Sequence, residues 1–299
     1  MGGEPVIVDC DPATGYALRD VDDGLALLYL LAFPLEFELL GVTTVYGNAS
    51  LKRTSRKARE ILRVAGREDL PVLSGASSPR LLGSPTPASD FLNECASRYP
   101  GELVVLAIAP LTNVATAGIT DPDFYAKLRR LVVMGGALGQ GFGIPLVPPF
   151  EFNFLRDRRA ADLVLAAPCE KVLITAELCR TVVFTTRELD SLWATGSRVT
   201  TYLAYRIEPW LRLNRAAPFL PWKGGFVPWD LVAAVYLRRP DFFSHAESRG
   251  MKIRGGRPPA GVIVPDPSRD GFPCTLPQSV APEAVLDEFL DAMAIHAKR

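Results

Sequence analysis

Short runs of β-branched and other apolar residues recur between longer segments of helical periodicity, and this alternation constrains the fold more than any other feature. Val6-Ile7-Val8 precedes an apolar helix from about Asp22 to Phe33; Leu39 to Val45 then reads as a strand and Ser50 to Val64 as a helix. Further strands are expected at Leu103 to Ile108, Leu131 to Met134 and Val172 to Thr175. Runs that are apolar at every position have both faces covered, as parallel strands joined by helical crossovers do. The expected architecture is a single doubly wound α/β domain over residues 1–299. It has a mostly parallel central sheet, helices on both faces, and an active site at the C-terminal ends of the strands. A closing helix carries Pro282 in its first turn and Leu286, Phe289, Leu290 and Met293 on one face. Leu73 to Ala88, Gly135 to Phe150 and Ala216 to Val227 are rich in Gly, Pro or Ser and read as long loops, the kind that sit over active sites.

Charge narrows the choice of partner. Thirty-three Lys plus Arg balance thirty-three Asp plus Glu, so no net field draws the chain to nucleic acid or an acidic membrane. The run Lys52, Arg53, Arg56, Lys57, Arg59 and Arg63 shares a segment with Ile61, Leu62 and Val64 and reads as a solvated helix face. The longest strongly apolar stretch, Leu25 to Phe33, falls well short of the roughly 20 residues that cross a bilayer. With no signal-peptide pattern before the first strand, a cytoplasmic location is expected. Five cysteines without a CxxC pair suit buried thiols in a reducing compartment. His245 and His296 are the only histidines, so acid-base work falls mainly to carboxylates.

Carboxylates crowd the first crossover. Asp9 and Asp11 leave the first strand, and Asp20, Asp22 and Asp23 open the next helix, with only Arg19 beside them. Capping a helix and favouring its dipole needs one such residue. Like charges held together at a strand end call for a cation, and all-oxygen donors without a His or Cys cluster point to a hard one, Ca²⁺ or Mg²⁺. An Asp-x-Asp phosphatase is a rival reading, with Asp9 as nucleophile and Asp11 as acid, although Ala13 stands where that pattern has Thr or Val. No P-loop, Gly-x-Ser-x-Gly or dinucleotide glycine pattern is present.

Asp9-Cys10-Asp11-Pro12 with Asp22-Asp23, Gly41 to Asn48, Pro110-Leu111-Thr112-Asn113, Val133 to Ala137, Glu151-Phe152-Asn153 and Trp229-Asp230 follow one another in a specific order. That order resembles the inosine-uridine preferring nucleoside hydrolases, over Val6 to about Leu237. The resemblance implies cleavage of the N-glycosidic bond of a small-molecule ribonucleoside to free base and ribose, with one bound Ca²⁺. It implies metal ligands at Asp11, Asp23 and Asp230 and at the Ile108 carbonyl, with Asp11 also the general base. It places Asp22, Asn48, Glu151 and Asn153 on the ribose hydroxyls and Met134 along the sugar pocket. Assembly as a homodimer or homotetramer is expected with it.

Two departures from the family pattern carry information. Residues Ala13 to Asp20 lengthen the loop before the paired aspartates, and this loop is expected to edge the sugar pocket. Trp229 occupies the slot before the metal aspartate where many members have a histidine acid; it resembles the purine-preferring branch and is expected to stack on the base. Tyr46, Phe142, Phe150, Phe219 and Trp222 are candidates for the facing wall. Besides the phosphatase, a nucleoside- or ribose-binding protein without turnover stays open as an alternative.

Overall fold

The computed structural model describes residues 2–255 and 261–298. Its centre is an eight-stranded sheet. Six strands come in chain order: β1 (Glu4–Cys10), β2 (Phe37–Thr44), β3 (Val72–Ser74), β4 (Val104–Ala107), β5 (Arg130–Met134) and β6 (Lys171–Ile174). They lie in the order β3-β2-β1-β4-β5-β6, followed by Cys274–Leu276 and, at the edge, Glu247–Arg249. Every pair is parallel except the last. From β1 the chain winds outward through β2 and β3, then returns to the other side of β1 to start β4. That reversal opens a crevice at the C-terminal ends of β1 and β4, where ligands of such sheets bind.

Side chains alternate between two cores, as the period of two along a strand requires. Val6, Val8, Val104, Leu106, Val132, Met134, Val172 and Ile174 enter one cluster. Ile7, Val105, Ala107, Leu131, Val133 and Leu173 enter the other. The first face is covered by α1 (Asp22–Leu31) and α2 (Leu51–Val64). The opposite face is covered by α3 (Pro87–Arg98) and α4 (Thr112–Thr120), and, after the short α5 (Phe152–Arg156), by α6 (Arg158–Leu165). A four-residue turn of helix, α7 (Ala176–Cys179), returns the chain to the first face. There α8 (Thr186–Thr195), α9 (Arg198–Arg215), α10 (Trp229–Arg238) and α11 (Pro282–His296) complete the layer. All ten residues of α1 are buried, and it packs along α10. This pairing sets the first turns of two helices, with Asp22, Asp23 and Asp230, side by side at the crevice.

Two expectations need correction. Leu73 to Ala88 is not a plain loop: Val42, Thr43 and Thr44 of β2 pair with Val72, Leu73 and Ser74, and α3 already starts at Pro87. The strand is three residues long and half-buried, too short to leave an apolar run in sequence. Lys57 does not belong to the solvated face of α2; it is 3% exposed and bonds Glu60 at 2.7 Å. Among the described residues no helix is long and apolar enough to cross a membrane.

Candidate active site

The floor of the crevice is built from strand ends and helix starts. Asp11 follows β1, Asn48 follows β2, Ile108 follows β4 and Met134 closes β5. Carboxylate oxygens of Asp22, Asp23 and Asp230 all lie within 4.8 Å of one another. Asp11 joins this group by its backbone: its N–H donates to Asp23 Oδ1 at 2.9 Å. Asn48 ties the two together, donating from its N–H to Asp11 Oδ2 and from its amide to Asp11 Oδ1 at 3.3 Å and Asp23 Oδ2 at 3.5 Å. The N–H of Asp230 donates to Asp22 Oδ2 at 3.1 Å. Gly47 is required here, since a Cβ would overlap Asp11 Oδ2.

Burial dominates the electrostatics. Desolvation pushes the carboxyls of Asp11, Asp23 and Asp230 well above the usual range, and the neighbouring charges that act on them are other aspartates, which push the same way. Burial also raises Asp22, against the hydrogen bond from the Asp230 backbone. Uncompensated carboxylates out of water cost several kcal/mol each, so this arrangement is stable only with protons or a cation between them. The first turns of α1 and α10 point partial positive charge the same way, but a helix end offsets a small part of that cost.

Asp9 behaves differently. It is fully buried, its Oδ1 accepts from Thr43 Oγ1 at 2.7 Å and Asn113 Nδ2 at 2.8 Å, and it does not line the cavity. Burial lifts its pKa to about 7, against those two hydrogen bonds. With Oδ1 taken up by Thr43 and Asn113, Asp9 braces the strand ends; Asp11 and Asp23 are also fully buried and outside the cavity lining, but Asp11 bonds directly to Asn48, which lines it. Asn113, which also accepts from the Ala76 N–H and donates to the Thr44 carbonyl, is a brace that its place in the Pro-Leu-Thr-Asn motif did not reveal as such.

Above the floor lies a cavity of about 410 Å³, within the usual range for small-molecule sites. Asp22, Asn48, Ile108, Met134, Glu151, Asn153, Trp229 and Asp230 line it. Glu151 caps α5, accepting from the N–H groups of Asn153 at 2.7 Å and Phe154 at 2.9 Å, and from Gly136 N–H at 3.0 Å. Burial still raises it to about 7. Asn153 donates to the Met134 carbonyl at 3.1 Å.

Aromatic side chains form the upper wall. Trp229 packs against Phe142 with centroids 4.6 Å apart and against Trp222 edge-on at 5.5 Å. Phe219 lines the same wall, as does Trp210 of α9, which no motif identified. Two sequence candidates fall away. Tyr46 is buried with its hydroxyl on Thr112 and the Arg156 carbonyl, and Phe150 packs behind Phe142 without lining the cavity. From the lengthened loop, Leu18, Arg19 and Asp20 reach the cavity, while Tyr16 lies under the Arg53 guanidinium at 4.1 Å. Neither histidine lines the cavity.

Comparison with known proteins completes the picture. A family model described as inosine-uridine preferring nucleoside hydrolase matches residues 6–285. Uridine nucleosidase 1 of Arabidopsis thaliana is 33% identical over 198 residues, 57% of this chain and 56% of that protein. Probable uridine nucleosidase 2 of the same plant is 29% identical over 271 residues, 81% of this chain and 80% of that protein. In structure, a purine-preferring ribonucleoside hydrolase from Gardnerella vaginalis superposes with a TM-score of 0.86 at 23% identity, covering 98% of this chain and 99% of that one, a likeness of fold.

Proposed function

Because the chain belongs to the inosine-uridine preferring nucleoside hydrolase family and is on that ground a ribonucleoside hydrolase, we propose that it is calcium-dependent and prefers purine nucleosides. The observation that carries this reading is the pairing of a carboxylate floor, to which no Lys or Arg among the described residues forms a salt bridge, with an aromatic wall around Trp229. An all-oxygen donor set at buried, mutually repelling carboxylates fits a hard cation. Asp11, Asp23 and Asp230, with the Ile108 carbonyl, would hold it; the carboxylates within 4.8 Å of one another are those of Asp22, Asp23 and Asp230, which makes Asp22 a further candidate ligand. When bound, calcium supplies Lewis acidity toward the ribose diol and the attacking water.

The chain's own groups supply the rest. Asp11 takes the proton of water as its oxygen bonds to C1′ on the face opposite the base, and the C1′–N bond breaks with its electron pair leaving on the base. Asn48, Glu151 and Asn153 hold the ribose hydroxyls, and their oxygens favour the positive charge that grows on the sugar in the transition state over the neutral substrate. Trp229 stacks on the base, and a purine can accept a proton from water at N7, which answers the lack of a histidine acid. The names of the curated relatives speak for uridine and that of the structural neighbour for purines; the breadth of the indole wall favours the bicyclic base. Incubation with a panel of ribonucleosides, scoring free ribose before and after exhaustive chelation, tests the reading. Ribose release that disappears with the metal and returns with added calcium is expected; phosphate release from nucleotides without base release, or tight binding without turnover, would contradict it.

A further inference from the structure

One carboxylate outside the floor collects an unusual number of donors. Glu177, in the short helix α7, accepts from four successive backbone N–H groups: Leu138 at 3.0 Å, Gly139 at 3.1 Å, Gln140 at 2.9 Å and Gly141 at 2.6 Å. Three of the four converge on Oε1. Such a fan needs the backbone to curl around the carboxylate, and Gly141 supplies a left-handed φ of +53° at a point where a Cβ would strike the Phe150 backbone. One turn later Arg180 donates to Gln140 Oε1 at 2.8 Å, and its guanidinium fills the space that a side chain at Gly143 would need. Charge-assisted bonds of this kind are about twice as strong as neutral ones.

What the clamp holds is the next residue. Phe142 sits between Phe150 and Trp229, each with centroids 4.6 Å away, and lines the cavity together with Ile144. The same short helix touches Trp229 directly, since Cys179 Sγ lies 3.6 Å from its carbonyl oxygen. Both members of this tilted ring pair are thus tied to α7. Beyond the clamp the loop is held by its own backbone, Phe142 N–H to the Phe150 carbonyl at 3.3 Å, Gly143 N–H to Gln140 at 2.9 Å and Val147 N–H to Ile144 at 3.2 Å, while residues 145–148 are exposed and Leu146 is fully so with φ +64°.

We infer that Glu177 is a positioning residue for base recognition, holding the 138–141 turn so that Phe142 backs Trp229 and the aromatic wall is formed before substrate arrives. The inference rests on the proposal that Trp229 meets the base. Loss of the clamp therefore weakens the base end of the site and spares the sugar end, where Glu151 and Asn153 are fixed by other bonds. Glu177→Ala and Glu177→Gln, the second keeping shape while losing charge, should each raise KM for a purine nucleoside about tenfold, the scale of lost stacking, with kcat changed far less. Inhibition by free ribose should stay as in the wild type. Phe142→Ala should reproduce the effect, and the double variant Glu177→Ala with Phe142→Ala should be no worse than either single one. Limited proteolysis should cut faster between residues 138 and 150 in both Glu177 variants. A wild-type protein that releases no ribose would remove the functional reading itself; an active wild type whose Glu177 variants keep its KM, or whose Glu177→Ala and Phe142→Ala effects add in the double variant, would overturn the inference alone.

Discussion

The floor and the wall of the cavity are made in opposite ways. The floor stands on strand ends and the first turns of two packed helices; Asp11, Asp22, Asp23 and Asp230 are buried, and the first three accept from the backbone N–H groups of Asn48, Asp230 and Asp11. The wall gathers a glycine-rich loop, a Pro- and Gly-rich loop and a face of α9 around Trp229, which opens α10 and is buried with Trp222, while its rim, such as Phe219 at 61% exposure, is open to solvent. On the proposed reading, the sheet's switch point builds the reaction centre, and Trp229 with the loops packed around it supplies the choice of base. Changes to the floor should therefore act on every nucleoside alike, and changes to the wall should act by base.

The sharpest way to break this division is Asp11→Asn. The amide cannot take the water's proton and one charge is lost from the floor, so turnover should fall on the order of a hundredfold or more for all nucleosides. Circular dichroism should be unchanged, because the backbone N–H of Asp11 still bonds Asp23. Near wild-type turnover would move the general base elsewhere, with Asp22 the next in line.

A smaller effect is expected at the border of the two regions. Replacing residues 15–19 by a tight turn removes Leu18 and Arg19 from the cavity and Tyr16 from its stack on Arg53. KM for nucleosides should shift severalfold, read by steady-state kinetics. Unchanged kinetics in a stably folded variant would make the lengthened loop a surface ornament.

The smallest effect is thermal. Burial raises Asp9 and Glu151 to about 7, and raises the floor aspartates as well. With folded values above unfolded ones, the native chain holds protons that the unfolded chain has lost between about pH 4 and about pH 7, so stability falls as pH rises through that window. Calcium-free protein should lose a few degrees in Tm over this range, by differential scanning calorimetry, and added calcium should flatten the slope. A Tm that climbs with pH in the chelated protein would contradict the burial argument.

How much of this was legible in the amino-acid sequence follows from the range of the interactions. The strands at Val6 to Val8, Leu131 to Met134 and Val172 to Ile174 announce themselves because both faces are buried and every position is apolar. The three-residue strand at Val72 to Ser74 and the edge segment at Glu247 to Arg249 are too short and too exposed to do so. The floor was legible as a density of aspartates without cations. That Asp22 stands within the tight cluster depends on how α1 meets α10, 208 residues away in the bond from Asp230 to Asp22. The Glu177 clamp was invisible for a different reason: its partners are backbone N–H groups, which every residue but proline possesses and no pattern records.

The central claim is that the floor drives the reaction and the wall selects the base, and the ratio of kcat/KM for inosine to that for uridine tests it most directly. Measured in the wild type, in Asp11→Asn and in Trp229→Ala, the ratio should be about tenfold or more in the first, since stacking is worth about 1–3 kcal/mol per base. It should be unchanged in the second, while both rates drop, and should collapse toward unity in the third. A wild type that cleaves uridine as well as or better than inosine, or a ratio that moves with Asp11 and not with Trp229, would contradict it.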